Sequence, residues 1–453
     1  MTAQLVGAYA PQVLGDQSSR TLGSILAAAE AASPVEAVEA VTCELGLALG
    51  ATKVSFLIAD LSGRALVRLA HVRPGTAEGT GMGVDRSGVR GERRAVEESA
   101  TVLPFDGGPA EQAVRTQEVQ AVGPEPGGSA SEGSASWLVL APVTERGEAI
   151  GVLEVTLPDR PDTATRESIA RLAHVLAFVV IANRRHTELY EWGQRTRPLS
   201  LSAEIQHTLL PGPQTCEAGA FTLAGWLEPA PAIAGDTFDF SLARDLLHLS
   251  LTDAMGHGVA AALAATLCVA TLRNARNAGA SLLEQVAATN ESLVDHSTSS
   301  GLEDFVTGLI GRIDLRTGSM DLVNAGHVAP YLVRGPYARA LALPVDLPLG
   351  LFGDATYRTS HLGLQPGDRF VLVTDGMLER NAVSVDLPAT IVQTRSLHPR
   401  EAVRALADVV LEATGNVLSD DATVMCLDWH GGHGRDRDSV NGAEKERASR
   451  ALA

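Results

Sequence analysis

Apolar positions along the chain change period several times, and each change predicts an element. From Leu22 to Leu49 an Ala/Leu/Glu-rich segment keeps helical spacing, after which Val54 to Ile58 alternates, stops at Asp60-Leu61-Ser62-Gly63 and resumes over Arg64 to Leu69. A helix and a hairpin follow from this. A Gly/Pro/Ser-rich stretch, Gly123 to Ser136, precedes two more strand-like runs, Trp137 to Val143 and Ala149 to Leu157, joined by a Glu145-Arg146-Gly147 turn. Helical spacing then returns from Thr163 to Arg195. Pro198 interrupts it by removing a backbone donor. Ser200 or Ser202 can cap a fresh helix carrying Leu201, Ile205 and Leu209 at i, i+4, i+8. From Phe221 onward the pattern turns to short strands broken by acidic turns.

The helix, sheet and closing helix over residues 22–185 resemble a GAF sensor domain. His71, His174, His186 and Cys43 form no ligand-spaced cluster there, which argues against haem, iron or an attached chromophore. Residues 186–212 are a helical linker. It is either a passive connector or a lever whose stripe pairs with a partner copy, in a homodimer, or presses on its own neighbouring domain. Residues 1–21 lack a clear period and residues 430–453 are polar, charged and Gly-rich, so both ends are expected to be disordered.

Composition narrows the classes of function. The 453 residues, 45% of them apolar, suffice for more than one core. A balance of 36 basic against 54 acidic side chains, net −18, repels a phosphate backbone and an anionic membrane alike. Neither nucleic acid nor membrane is therefore an expected partner. The most apolar stretch, Leu172 to Ala182, falls short of the ~20 residues of a spanning helix, and the four cysteines form no CxxC pair. A cytoplasmic location is the expectation.

Four acidic clusters stand out in the C-terminal half: Gly235 to Asp239, Asp253 to Gly258, Thr374-Asp375-Gly376 and Asp420 to Thr423. Leu247 to Leu251 precedes Asp253, Phe370 to Val373 precedes Asp375, and Val424 to Leu427 follows Asp421, so these carboxylates sit at the ends of buried strands. Gathered at one place they repel one another unless a cation compensates, and oxygen-only donors select hard divalent ions. A binuclear centre is the natural expectation. Gly256 and Gly258 suit a tight turn, and Val259 to Leu272 reads as a fully buried helix.

Seven motifs in order carry a second resemblance: IQHTLLP (Ile205 to Pro211), EPAPAIAGDTFD (Glu228 to Asp239), TDAMGHGVAAAL (Thr252 to Leu263), NAGH (Asn324 to His327), LPLG (Leu347 to Gly350), LVTDGMLE (Leu372 to Glu379) and DDAT (Asp420 to Thr423). Together they resemble the PPM family, protein phosphatase type 2C, and within it the SpoIIE-type sporulation and stress-response phosphatases of bacteria. The family usually has GGD where this chain has Ala234-Gly235-Asp236.

The resemblance implies an α+β chain: the GAF-like domain, then a PPM-type α-β-β-α sandwich of two antiparallel sheets flanked by helices over residues 213–429. It implies two Mn²⁺ or Mg²⁺ ions, with Asp253 bridging both, the Ala254 carbonyl completing one site, Asp375 and Asp420 binding the other metal, and Asp236 contacting a metal directly or through water. His257 is either the general acid or a structural turn residue, and His327 orders a loop. Asp239, Asp421 and Asn324 either orient the ligands beside them or are solvated turn groups. The implied activity is direct hydrolysis of phosphoserine or phosphothreonine on an anti-sigma-factor antagonist, regulated through an unknown GAF ligand. Two rival readings are a ligand-sensing scaffold with an inactive phosphatase domain and a hydrolase of small phosphorylated metabolites. The intact Asp236, Asp253, Asp375 and Asp420 argue against the first.

Overall fold

Pro34 divides the first helical stretch, because the proline ring disfavours helical backbone in the residue before it. Two helices result, α1 (Asp16–Ala31) and α2 (Ala37–Leu49), where the spacing alone predicts one. The computed structural model describes residues 16–61, 63–72, 102–124, 136–195, 199–230, 235–301, 304–378, 385–432 and 437–451. Most of the expected disordered N-terminus, most of the Gly/Pro/Ser-rich stretch, Pro198, residues 231–234 of the second phosphatase motif and Glu379 lie outside them. By internal contacts the chain divides into two units, one covering most of residues 1–196 and the other running from Arg197.

In the N-terminal unit the strands β1 (Lys53–Ala59) and β2 (Ala65–Val72) make the expected antiparallel hairpin. Next come β3 (Val102–Pro104), α3 (Pro109–Thr116), β4 (Gln120–Val122), β5 (Trp137–Glu145) and β6 (Glu148–Leu157), then α4 (Thr163–Asn183) and α5 (Leu189–Gln194). Six strands form one sheet in the order β3-β2-β1-β6-β5-β4. Because side chains alternate across a strand, Val54, Phe56 and Ile58 enter a core with Val41, Leu45, Leu176 and Val180, while Leu57 and Ala59 enter a second core with Ala113 and Val114 of α3. Both faces are thus covered. The closing helix ends at Asn183, not Arg195, since Arg184, Arg185 and His186 offer nothing apolar to bury and form a 3₁₀ turn instead.

The C-terminal unit begins with α6 (Leu201–Leu209), whose first turn is capped by Ser200 through an Ala203 N–H bond of 3.2 Å. Its strands are β7 (Thr215–Ala218), β8 (Phe221–Glu228), β9 (Asp236–Leu242), β10 (Leu246–Ala254), β11 (Val306–Asp314), β12 (Ser319–Ala325), β13 (Tyr331–Arg334), β14 (Tyr337–Ala340), β15 (Ser360–Gly363), β16 (Arg369–Val373) and β17 (Ala422–Trp429). Its remaining helices are α7 (Gly258–Asn277), α8 (Leu282–Ser300), α9 (Leu387–Gln393) and α10 (Pro399–Ala413). The strands build a five-stranded sheet, β15-β12-β11-β10-β9, and a six-stranded sheet, β14-β13-β16-β17-β8-β7, antiparallel throughout their ladders.

Period-two alternation sets the layers. Leu249, Leu251 and Leu309 of one sheet meet Leu223, Phe370, Leu372, Met425 and Leu427 of the other in a shared core. On the outer faces, Val371, Val373, Val424 and Cys426 pack on Val403, Leu406 and Val410 of α10, while Ile310, Val323 and Ala325 pack with α7 and α8. Each such fully buried side chain contributes roughly 1.5–3 kcal/mol of transfer free energy. The result is a four-layer α-β-β-α sandwich.

Three local expectations change. First, α7 is not buried all round: Ala261, Ala264, Ala265, Cys268 and Leu272 face the core, and the i+4 pair Val259 and Leu263 turns outward, 44% and 49% exposed. Second, α6 packs through Ser202, Ala203, Gln206 and Leu209, so Leu201 is 68% exposed and the stripe Leu201-Ile205-Leu209 is not its packed face. Third, residues 437–451 of the tail pack on β7. The buried Glu217 carboxylate accepts from Arg437 Nη2 at 2.5 Å, the Glu444 amide at 2.9 Å and His398 Nε2 at 3.1 Å, and Ala443 is buried beside it. A polar, charged composition suggests a solvated end, but here Arg437 and Glu444 meet a buried carboxylate.

Candidate metal and phosphoester site

The antiparallel register brings the acidic clusters to one end of the sandwich. Asp253, the penultimate residue of β10, lies opposite Asp236, the first of β9, and opposite Thr307 on its other side. In the second sheet β16 runs directly into Thr374-Asp375 and β17 begins just after Asp420-Asp421. Close backbone approach is needed here, and glycine permits it. A Cβ on Gly376 would overlap the Asp421 carbonyl oxygen, and one on Gly235 would crowd the Ala254 carbonyl. After Asp253 the chain turns through Gly256 and Gly258, at φ 101° and 70°, to start α7.

Side-chain bonds join the two sheets at this end. Asp236 Oδ2 accepts from Thr374 Oγ1 at 2.7 Å and Thr423 Oγ1 at 2.5 Å, so a carboxylate of one sheet is held by hydroxyls of the other. Asp421 accepts from the amides of Ala230 (2.7 Å) and Gly235 (3.3 Å) and from Gln206 Nε2 (2.6 Å). The same Gln206 nitrogen lies 2.8 Å from the Asp236 carbonyl, which ties α6 directly to the acidic end. These bonds fix the roll of α6 and account for its packed face. Ala254, buried at the end of β10, donates its amide to the Gly235 carbonyl at 3.2 Å.

Electrostatics mark the end as short of positive charge. Burial, then the charges of Asp375, Asp420 and Asp421, push Asp253 up to about 7. Burial and the neighbouring Asp253 and Asp421 raise Asp236 likewise, and burial lifts Asp421 to about 6 against the pull of its hydrogen bonds. Oxygen donors that resist ionisation beside one another suit a hard divalent cation, whose binding would release their protons. The donor chemistry therefore fits the expected ions, although among the described residues no three His, Cys, Asp or Glu side chains converge tightly enough to ligate one ion.

The candidate residues fall into two groups. Asp236, Asp253, Asp375, Asp420 and Asp421 come together, with the Ala254 carbonyl at the end of the same strand. His257 is exposed at the start of α7 and makes no capping bond. Asp239 and Asn324 are placed differently from their expected role beside the ligands. Asp239 is buried and paired with Arg273 (2.9 Å) and Arg276 (3.1 Å) of α7, and Arg273 also holds the Leu209 carbonyl at the end of α6 at 2.7 Å. Asn324 bonds the backbone of His327 in both directions. Gln206, Thr374, Thr423 and Arg273 escaped the sequence reading. The signal available was a hydroxyl beside each strand-end aspartate and one polar residue on the packed face of α6.

An acidic cluster at the strand ends of an α-β-β-α sandwich, with Asp236 and Asp421 buried, Asp253 and Asp420 half-buried and Asp375 exposed, defines a phosphatase domain of the PPM class. Residues 243–430 match the family described as Stage II sporulation protein E, SpoIIE, and the C-terminal unit carries a domain of that family. The phosphoserine phosphatase RsbU of Bacillus subtilis (strain 168) is 24% identical over 289 residues, 61% of this chain and 83% of RsbU. The phosphoserine phosphatase RsbP of the same organism is 23% identical over 190 residues, 41% of this chain and 46% of RsbP. The solved RsbU and RsbW domains of a Mycobacterium tuberculosis protein are 25% identical at a TM-score of 0.41, covering 47% of this chain and 62% of that one.

Proposed function

We propose that the C-terminal domain hydrolyses phosphoserine or phosphothreonine on a protein, using two Mn²⁺ or Mg²⁺ ions held by Asp236, Asp253, Asp375, Asp420 and the Ala254 carbonyl. The observation that carries this reading is the gathering of carboxylates at one end of the sandwich, where burial first and the charges of Asp375, Asp420 and Asp421 next raise Asp253 to about 7. Bound ions would supply the Lewis acidity that activates water at neutral pH and neutralises charge on the transferring phosphoryl group. The chain contributes the rest. Thr374 and Thr423 fix the Asp236 carboxylate, and Asp421 orders the backbone before Asp236 through the Gly235 and Ala230 amides. His257, exposed four residues beyond Asp253, is the group available to protonate the leaving serine oxygen.

The N-terminal unit reads as a GAF-like sensor of an unidentified ligand, α6 as the lever, and the whole as a cytoplasmic homodimer. A phosphorylated anti-sigma-factor antagonist is the substrate that the family resemblance implies, and the names of RsbU and RsbP as phosphoserine phosphatases support that class. The test compares a phosphoserine protein with nucleotides and sugar phosphates in Mn²⁺. Preference for the phosphoprotein by tenfold or more in kcat/KM is expected. Equal or faster turnover of the metabolites would overturn the assignment in favour of a small-molecule hydrolase.

A further inference from the structure

His327 is the one imidazole buried between the two acid-bearing strand ends among the described residues, and its ring touches both sheets. Nδ1 lies 2.7 Å from Thr307 Oγ1, on β11, and Nε2 lies 3.1 Å from the Val373 carbonyl, at the end of β16. A carbonyl only accepts, so Nε2 carries the proton and Nδ1 accepts from the threonine hydroxyl. Thr307 stands opposite Asp253 in the β10–β11 ladder, and Val373 precedes Asp375 by two residues. The ring therefore links β11, the ladder partner of the Asp253 strand, to the end of β16, which leads into Asp375, in the other sheet.

The histidine is itself held. Asn324 Oδ1 accepts from the His327 amide at 2.8 Å and Asn324 Nδ2 donates to the His327 carbonyl at 3.0 Å, which locks the turn that presents the ring. His327 and Asn324 are both buried. Burial also holds the imidazole down to about 4, so the neutral form with its two bonds persists through the physiological range.

We propose that His327 is a positioning residue, a strut that sets the spacing of the Asp253 and Asp375 strand ends and thereby the affinity of the acidic centre for its cation. The two sheets share no backbone ladder at this edge, so their separation is set by the side chains that cross it. A metal centre tolerates little error in donor spacing, and loss of a supporting hydrogen bond outside the ligands typically weakens metal affinity by about 10–100-fold. This inference rests on the divalent-metal reading given above.

The test is calorimetric titration of Mn²⁺ into the full-length, chelator-stripped protein. Four forms are compared: wild type, His327→Ala, Thr307→Val and the double variant. Thr307→Val keeps the side-chain shape and removes only the hydroxyl, so it carries the test where His327→Ala fails to fold. The expected result is about tenfold weaker Mn²⁺ binding in His327→Ala, a smaller loss in Thr307→Val, and a double variant no worse than His327→Ala. A histidine that only stabilised the fold would lower the melting temperature and leave Mn²⁺ affinity unchanged in the folded variants. That outcome overturns the strut. A wild type that binds no Mn²⁺ sinks the strut and the metal reading together, whereas normal binding by wild type and both variants sinks the strut alone.

Discussion

The two ends of the β8–β17 ladder lie beside carboxylates that are treated in opposite ways. At one end, where Ala422 pairs with Glu228, Asp253 is pushed up to about 7, with burial first and other carboxylates next among the causes. At the other end, where Trp429 pairs with Phe221 and Thr222 pairs with Glu217, burial pushes Glu217 up too, yet His398, Arg437 and the Glu444 amide outweigh it and hold it at about 2. The chain supplies its own cations where the carboxylate serves the fold. Around Asp253 the groups that act are burial and other carboxylates, which is the setting the proposed external cation would answer. Burial alone therefore identifies nothing; what distinguishes a site from a structural network is whether the counter-charge is encoded.

The largest effect that would break this comparison comes from Asp253→Asn. We expect hydrolysis of p-nitrophenyl phosphate in Mn²⁺ to fall by on the order of a thousandfold or more, since the acid serves the cation centre. The melting temperature in chelator should not fall, because a repelling charge has been removed. Near wild-type turnover would mean that Asp253 is outside the centre.

Glu217→Gln should do the reverse. It leaves Arg437 and His398 without their buried partner and is expected to cost about 3 kcal/mol in a urea melt, with metal-dependent turnover nearly unchanged. The pH profile carries the sign. A carboxyl held below its unfolded value of 4.5 stabilises the fold above that pH and loses the contribution as pH falls from about 4.5 toward about 2. Acid unfolding of wild type should steepen in that window, and the variant should lack that component. An unchanged acid limb in Glu217→Gln would show that the tail network is not the source.

A smaller effect is expected from Gln206→Ala, which removes one donor from Asp421 and one from the Asp236 carbonyl while keeping α6 packed through Ala203 and Leu209. We expect kcat to drop by about tenfold, the worth of one or two hydrogen bonds to charged groups, with little change in KM. Smallest of all, replacing exposed Leu201 by Ser should alter stability by no more than about 0.5 kcal/mol. A larger loss in a melt would mean that this face of α6 is covered.

Much of the sandwich was legible because apolar runs and the acids that adjoin them are local signals. Leu247 to Leu251, Phe370 to Val373 and Val424 to Leu427 lie within β10, β16 and β17, as apolar runs beside strand-end acids predict. What sequence could not show is which polar group answers which. Asp239 and Asp253 look alike as strand acids, yet two arginines of α7, 34 and 37 residues onward, neutralise only the first. Gln206 stands in the IQHTLLP motif with nothing local to mark it, and only its fold partners, 30 and 215 residues away, show that it faces inward. The same holds for the tail, whose charges suggest solvation until Glu217 and His398 are brought beside them.

One measurement tests the proposed cation site most directly: release of phosphate from a phosphoserine protein by the full-length chain, first in excess chelator and then after Mn²⁺ is restored. We predict no turnover above background in chelator and recovery on adding the ion, because burial and neighbouring carboxylates act on Asp253, the setting that the proposed cation would answer. Full activity in excess chelator would contradict the claim that the carboxylates around Asp253 are a cation site.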